Sequence, residues 1–232
     1  TRYGSSAASD VYKRQYEKYP QLRNFFNKLW VAEQMGYDCG PSGTGPKKSG
    51  TYVVRPIYNL SGMGVGARVQ QIEAGDDESV EAGYFWCEYF NGEHLSIDYT
   101  FQSGQTGEWI PVHGCSGINF PINLSKFSEW KKIDVSTHPL PDVPRFVQDA
   151  FQVPQINIEF VDGNIIEIHL RESIEMEWDH MIPIWDSTTT LRCEELSIHG
   201  YKWIDNFDDA DKQLKDPRLG FLVKDILPPA KA

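Results

Sequence analysis

The chain has 232 residues, with 22 Lys and Arg against 33 Asp and Glu, so its formal net charge is −11. That length fits one large domain or two small ones, and an aromatic content of 13% supplies enough apolar mass for a core, which argues against global disorder. The acidic balance argues against general nucleic-acid binding, which needs an excess of Lys and Arg, and no apolar run reaches the ~18 residues of a membrane-spanning helix. Cys39, Cys87, Cys115 and Cys193 are widely spaced and form no Cys-x-x-Cys pair. A zinc site or disulfide framework is therefore not expected, and a reduced, cytoplasmic protein is.

Residues 1–15 (TRYGSSAASDVYKRQ) show neither helical nor strand periodicity and read as an adaptor-derived segment outside any fold. Leu22, Phe25, Phe26 and Leu29 then recur at helical spacing, and Gly36 supplies a stop, so one helix is predicted up to that point. Residues 38–50 are rich in Gly, Pro, Ser and Lys and read as a loop or linker. A short strand, TYVVRPI, precedes the glycine-rich stretch NLSGMGVGA. YFWCEYF and HLSIDYTF read as strands joined by Asn91-Gly92-Glu93, the second with Leu95, Ile97, Tyr99 and Phe101 buried and the alternate side polar.

Residues 102–141 look irregular, broken by Gly, Pro and Ser. Asp142 is the expected cap of a helix carrying Val143, Phe146, Val147, Ala150 and Phe151. QINIEFV and IIEIHLR follow as strands, then an acidic helix near Asp208–Leu214 and a closing strand, GFLV. Strands and helices alternate without regular βαβ spacing, which predicts an α+β fold.

The stretch 155–172 carries the most chemistry. If Asp162-Gly163-Asn164 is a three-residue loop, Val161 pairs with Ile165, Glu159 lies opposite Glu167, and Asn157 opposite His169. Two carboxylates, a histidine and Arg171 then share one face. A two-residue Asp-Gly turn would set Glu159 opposite Ile166 and mix the faces, so the longer loop is expected. Facing carboxylates repel unless a cation lies between them, and oxygen ligands suit Mg²⁺. An ordinary solvated polar face with Arg171 paired to the glutamates remains the alternative.

Ser61, Gly62, Gly64 and Gly66 allow close backbone approach to an anion, with Arg55 supplying charge from the preceding strand. The stretch equally fits a flexible hairpin tip. No Gly-Lys-Ser/Thr follows, and the Gly62-x-Gly64-x-x-Ala67 match to a dinucleotide fingerprint lacks a helix behind it. Gly114-Cys115-Ser116-Gly117 does not have the spacing of a nucleophile elbow, and Cys115 has no identifiable base. His113, His138, His180 and His199 point to no site. YFWCEYF fits a buried strand better than a base-stacking platform.

Taken in chain order, these segments resemble the ATP-grasp superfamily over roughly residues 21–172. NKLWVAEQMGY resembles its leading helix, which implies a phosphate contact for Lys28. TYVVRPIYNLSGMGVGARV resembles the strand and mobile glycine loop, with Arg55 in place of a second phosphate-binding lysine. CEYFNGEHLSID resembles the hinge, which implies adenine contacts for Glu88, Tyr89 and Phe90 and a ribose contact for Glu93. NIEFVDGNIIEIHLR resembles the metal-binding strands: Glu159, Glu167 and Arg171 match the pattern, and His169 replaces an asparagine. An oxygen ligand suited to Mg²⁺ is thereby exchanged for an imidazole, which suits softer ions.

The resemblance implies two small α+β lobes clamping a nucleotide, with the N-terminal preceding domain short or missing. Residues 16–50 would hold the leading helix and linker, 51–100 the small lobe with its glycine loop and hinge, and 101–232 the metal-binding lobe and tail. It implies a ligase using ATP and Mg²⁺ to join a carboxylate to an amine through an acylphosphate, on a small-molecule or peptide acceptor, with neither nucleic acid nor membrane as partner. Arg171 would be its catalytic residue; Glu159, Glu167 and His169 would hold the metal. A catalytically weak nucleotide-binding or interaction protein that kept the fold is the alternative.

Overall fold

The computed structural model describes residues 8–58, 64–103, 107–120, 123–148, 153–173, 177–188, 200–206 and 216–225. Its described elements form two antiparallel sheets with few helices, an α+β architecture. In the smaller sheet, β1 (Cys39–Pro41), β4 (Tyr84–Glu88), β2 (Gly50–Pro56) and β3 (Arg68–Ile72) lie side by side in that order. The stretch expected as a linker thus contributes an edge strand. β2 and β3 form a hairpin in which Gly50 pairs with Ile72, so the glycine-rich stretch joins two antiparallel strands.

The larger sheet has eight strands in the order β11-β12-β10-β7-β6-β5-β8-β9. These are β5 (His94–Gln102), β6 (Glu108–Asn119), β7 (Phe127–Ile133), β8 (Gln155–Val161), β9 (Asn164–His169), β10 (His180–Trp185), β11 (Lys202–Asp205) and β12 (Arg218–Lys224). β4 and β5, joined by a short connection, do not pair with each other. Residues 89–93 instead carry the chain from one sheet to the other.

β6 runs through the stretch read as irregular. Its glycines are packing requirements rather than breakers: a Cβ at Gly117 would lie 2.6 Å from the Trp130 ring, and one at Gly114 2.8 Å from Ile97. Its Pro111 sits at a bulge, where the pairing skips Val112 between Asp98↔His113 and Tyr99↔Pro111.

The helical segments also differ from expectation. Ala8–Lys18 is a helix, α1, that begins within the stretch 1–15 read as structureless and runs three residues past it. The stripe from Leu22 to Leu29 is divided between a 3₁₀ segment (Pro20–Phe26) and α2 (Lys28–Met35). Asn27 separates them because its side chain accepts from the Trp30 amide at 2.9 Å and caps α2, which ends at Gly36 in a left-handed conformation (φ 73°). α2 is wedged between the sheets: Val31 joins the core that includes Ile165 and Ile168, whereas Ala32 packs with Phe85 and Cys87 of the smaller sheet. A helix covered on two sides needs no single apolar stripe.

Only the four-residue α3 (Arg145–Gln148) is described of the helix expected from Asp142, which lies three residues ahead of it. Val147 is fully buried there, and its carbonyl accepts from the Trp109 indole at 3.1 Å. The acidic helix expected at 208–214, Cys193 and His199 lie outside the described residues. Cys39, Cys87 and Cys115 are free thiols. No helix among the described residues is long and apolar enough to cross a membrane.

Candidate active site

The β8–β9 hairpin is tighter than the sequence suggested. Asp162 (φ 52°) and Gly163 (φ 75°) form a two-residue turn with Val161 opposite Asn164. Positive φ at both central residues matches the strand twist and favours this turn over a three-residue loop. A bulge between Glu159 and Phe160 then shifts the register, so that Glu159 still faces Glu167 and Asn157 faces His169. The expected face is therefore assembled, by a route the alternation of side chains could not reveal.

That face borders a cavity of about 590 Å³ whose walls come from both sheets and from the 89–93 connection. Lys28, Arg55, Gly64, Tyr89, Phe90, Glu93, Glu159, Glu167, His169 and Arg171 all line it. Glu88 and Gly66 are not brought to this wall. The Glu88 amide donates to the Asp38 carbonyl, and Gly66 packs against Tyr84. Ser61 and Gly62 lie outside the described residues.

Capping by Asn27 makes Lys28 the first residue of α2, and its buried ammonium lies 2.7 Å from Glu167 Oε2. Arg55 is buried on β2 with its guanidinium 5.2 Å from the Phe85 ring centre. Its Nε makes no hydrogen bond to any described residue. Burial lowers the Arg55 pKa, against the opposing fields of Cys87, Glu167 and Glu159.

One donor atom from each of Glu159, Glu167 and His169 lies within 4.8 Å of the others. His169 Nε2 is 3.3 Å from Glu159 Oε1 and 3.7 Å from Glu167 Oε1. Burial raises both carboxyls, but His169 and His94 hold Glu159 well below the usual carboxylate range. Lys28 and His169 likewise hold Glu167 below it. Both carboxylates are thus kept charged and convergent, a donor set that fits a divalent cation; the imidazole is the member least suited to Mg²⁺.

Arg171 lies two residues beyond the end of β9, and its Nη1 donates to the Glu172 carbonyl at 2.8 Å. Behind it, Asp98 Oδ1 accepts from Asn157 Nδ2 and from the Ser173 amide, each at 2.9 Å. Asn157 Nδ2 also donates to Ser96 Oγ at 2.9 Å, so a buried polar row fixes the exit from β9. The hinge side is aromatic: Phe90 meets the Tyr37 ring edge-on at 4.8 Å, and Glu93 lies 3.2 Å from His138 Nε2.

Several lining residues had no sequence signal read for them. The polar side of β5 is buried as well as its apolar side, at His94, Ser96 and Asp98, and His94 lines the cavity. His94 Nε2 lies 3.3 Å from Glu159 Oε2. The pairing of Ser96 with Glu159 and Asp98 with Asn157 is the signal that two polar rows in register could have given. At the far end, Trp130, Trp185 and Arg218 also line the cavity, contributed by strands that were not recognised or not connected to it.

No family model matches the sequence, and no curated protein matches it. Solved structures do resemble it. An L-amino acid ligase from Bacillus licheniformis superposes with a TM-score of 0.54 at 12% identity, over 96% of this chain and 79% of that one. N5-carboxyaminoimidazole synthetase from Staphylococcus aureus, solved with ADP, gives 0.53 at 11% identity, over 96% and 74%. An ADP complex of the N5-carboxyaminoimidazole ribonucleotide synthetase purK gives 0.51 at 12% identity, over 92% and 73%. These superpositions, over 92–96% of this chain, show that it shares its fold with these structures, the ATP-grasp fold expected from the sequence.

Proposed function

We propose that the chain is an ATP-dependent ligase that joins a carboxylate to an amine. The observation carrying this reading is the convergence of Lys28 and Arg55 with Glu159 and Glu167 on one cavity that also holds Arg171. Two buried cations beside two ionised carboxylates suit a polyphosphate accompanied by a divalent cation and suit few other ligands. The similar structures solved with ADP support the nucleotide part of the reading.

In this reading, Tyr89 and Phe90 flank the adenine at the connection between the sheets, and Glu93 accepts from the ribose hydroxyls. Lys28 and Arg55 grip the phosphates. The smaller sheet and the loop at Gly64 exclude water from the transferring group. A divalent cation, when bound between Glu159 and Glu167, would neutralise charge on the phosphates. Arg171 orients the acceptor carboxylate by a forked contact. A carboxylate oxygen attacks the γ-phosphorus and ADP leaves; the amine then attacks the acyl carbon, phosphate departs with the C–O bond electrons, and the nitrogen loses a proton.

The test pairs thermal melting with ADP against phosphate release from ATP, using a panel of amino acids and other amines and carboxylates. A raised melting temperature with ADP, together with phosphate release requiring both co-substrates, is the expected result. No shift at millimolar ADP overturns the reading. A shift without release across the panel favours the second reading, nucleotide binding without turnover, to which the unusual Arg55 and His169 also point.

A further inference from the structure

Three side chains of the β8–β9 hairpin form a mixed donor set rather than an all-oxygen one. Glu159 and Glu167 supply carboxylate oxygens, and His169 Nε2 reaches both within 3.7 Å. Across from it, His94 is buried, and its Nε2 stands 3.3 Å from the second oxygen of Glu159. The pair is a close polar contact rather than an aligned hydrogen bond.

Both rings are already placed. His94 stands edge-on against the neighbouring rings of Phe127, at 4.9 Å, and Trp130, at 5.5 Å. His169 is fixed at the last position of β9, directly opposite Asn157. Mg²⁺ prefers a shell of oxygens and water, whereas imidazole nitrogen favours first-row transition ions at a site otherwise made of carboxylates.

We infer that the cluster of Glu159, Glu167 and His169, with His94 orienting Glu159, selects a first-row transition-metal dication over Mg²⁺. The inference deepens the nucleotide reading by naming its metal, but binding to the cluster can be measured without nucleotide. His169 is the discriminating ligand, and His94 is a positioning residue.

The experiment uses the full chain, stripped of metal, with Mn²⁺ as the probe. Free Mn²⁺ is followed by electron paramagnetic resonance during titration and competition with Mg²⁺, with and without ADP. Pulsed spectra of protein grown with ¹⁴N- or ¹⁵N-histidine report a directly coordinated imidazole without any mutation. Bound Mn²⁺ with histidine nitrogen coupling, displaced only by a large excess of Mg²⁺, is expected. H169N should lose this coupling and about tenfold or more of its Mn²⁺ affinity while Mg²⁺ affinity holds or improves. H94N should weaken Mn²⁺ while retaining the coupling from His169.

No Mn²⁺ binding, binding without nitrogen coupling, or an unchanged Mn²⁺ to Mg²⁺ ratio in H169N would each overturn the inference. If H169N fails to fold, H169Q repeats the comparison, and the isotope-labelled parent decides in either case. Intact nitrogen coupling that ADP leaves unaltered would instead sink the nucleotide reading and leave the metal assignment standing.

Discussion

Glu159 and Glu167 face each other across one hairpin, a placement that repels two carboxylates unless positive charge is close. The chain supplies that charge itself, with Lys28 Nζ 2.7 Å from Glu167 and both partners buried. From the sequence alone, Glu167→Gln would be expected to relieve repulsion and leave the protein as stable or slightly more so. The ion pair reverses that sign, because the variant strands a buried ammonium beside a neutral amide. A loss of about 3 kcal/mol is expected in denaturant titration, with most of the ADP-induced stabilisation lost as well. An unchanged midpoint would show that Lys28 escapes to water once its partner is gone. The resemblance indicated Lys28 as a phosphate contact, but its pairing with Glu167 was not legible, since about 140 residues of chain separate the two and only the wedging of α2 brings them together.

At the scale of elements, Asp216 ties three neighbouring strands of the larger sheet. It precedes β12, pairs with Lys126 ahead of β7, and accepts from the Ser187 amide (2.8 Å) and hydroxyl (2.6 Å) just after β10. Burial raises its carboxyl pKa, but Lys126 and Ser187 outweigh this and hold it below the ordinary value of 3.8. A depressed carboxylate stabilises the fold above its unfolded pKa, and that contribution disappears as pH falls through the folded value. Asp216→Asn should therefore cost about 1–3 kcal/mol near neutrality, and its deficit against the parent should shrink in acid melts below pH 3.8. A deficit independent of pH would mean the hydrogen bonds, not the charge, do the anchoring.

What the sequence revealed at this scale follows from locality. QINIEFV is legible because β8 alternates cleanly, whereas β6 was not, because Gly114 and Gly117 answer to Trp130 and Ile97 on other strands. The same close approach gives a test. Gly117→Ala should cost about 1–3 kcal/mol, read as a lowered melting temperature, because Trp130 must shift from the position where it lines the cavity. The buried polar face of β5 was equally hidden: alternation identifies which residues share a face, and only the folded molecule decides whether that face meets water or a cavity.

For the whole molecule, the central tension is a cavity that concentrates charge between two sheets before any ligand arrives. Arg55 shows it most plainly, being 7% exposed, with Nε hydrogen-bonded to none of the described residues and its pKa lowered by burial. Retaining such a residue costs stability that an apolar side chain of similar length would not. Arg55→Met should accordingly leave the unliganded protein as stable as the parent, or more so, in thermal melts. With ADP and a divalent cation the order should reverse, since a ligand that binds only the folded state stabilises in proportion to its affinity, by about 2.7 kcal/mol at a hundred times Kd. Loss of the phosphate contact should remove most of that increment from the variant. The two melts together separate a binding role from a structural one: an Arg55 that merely packs on Phe85 would destabilise the unliganded protein when removed and leave the ADP increment intact.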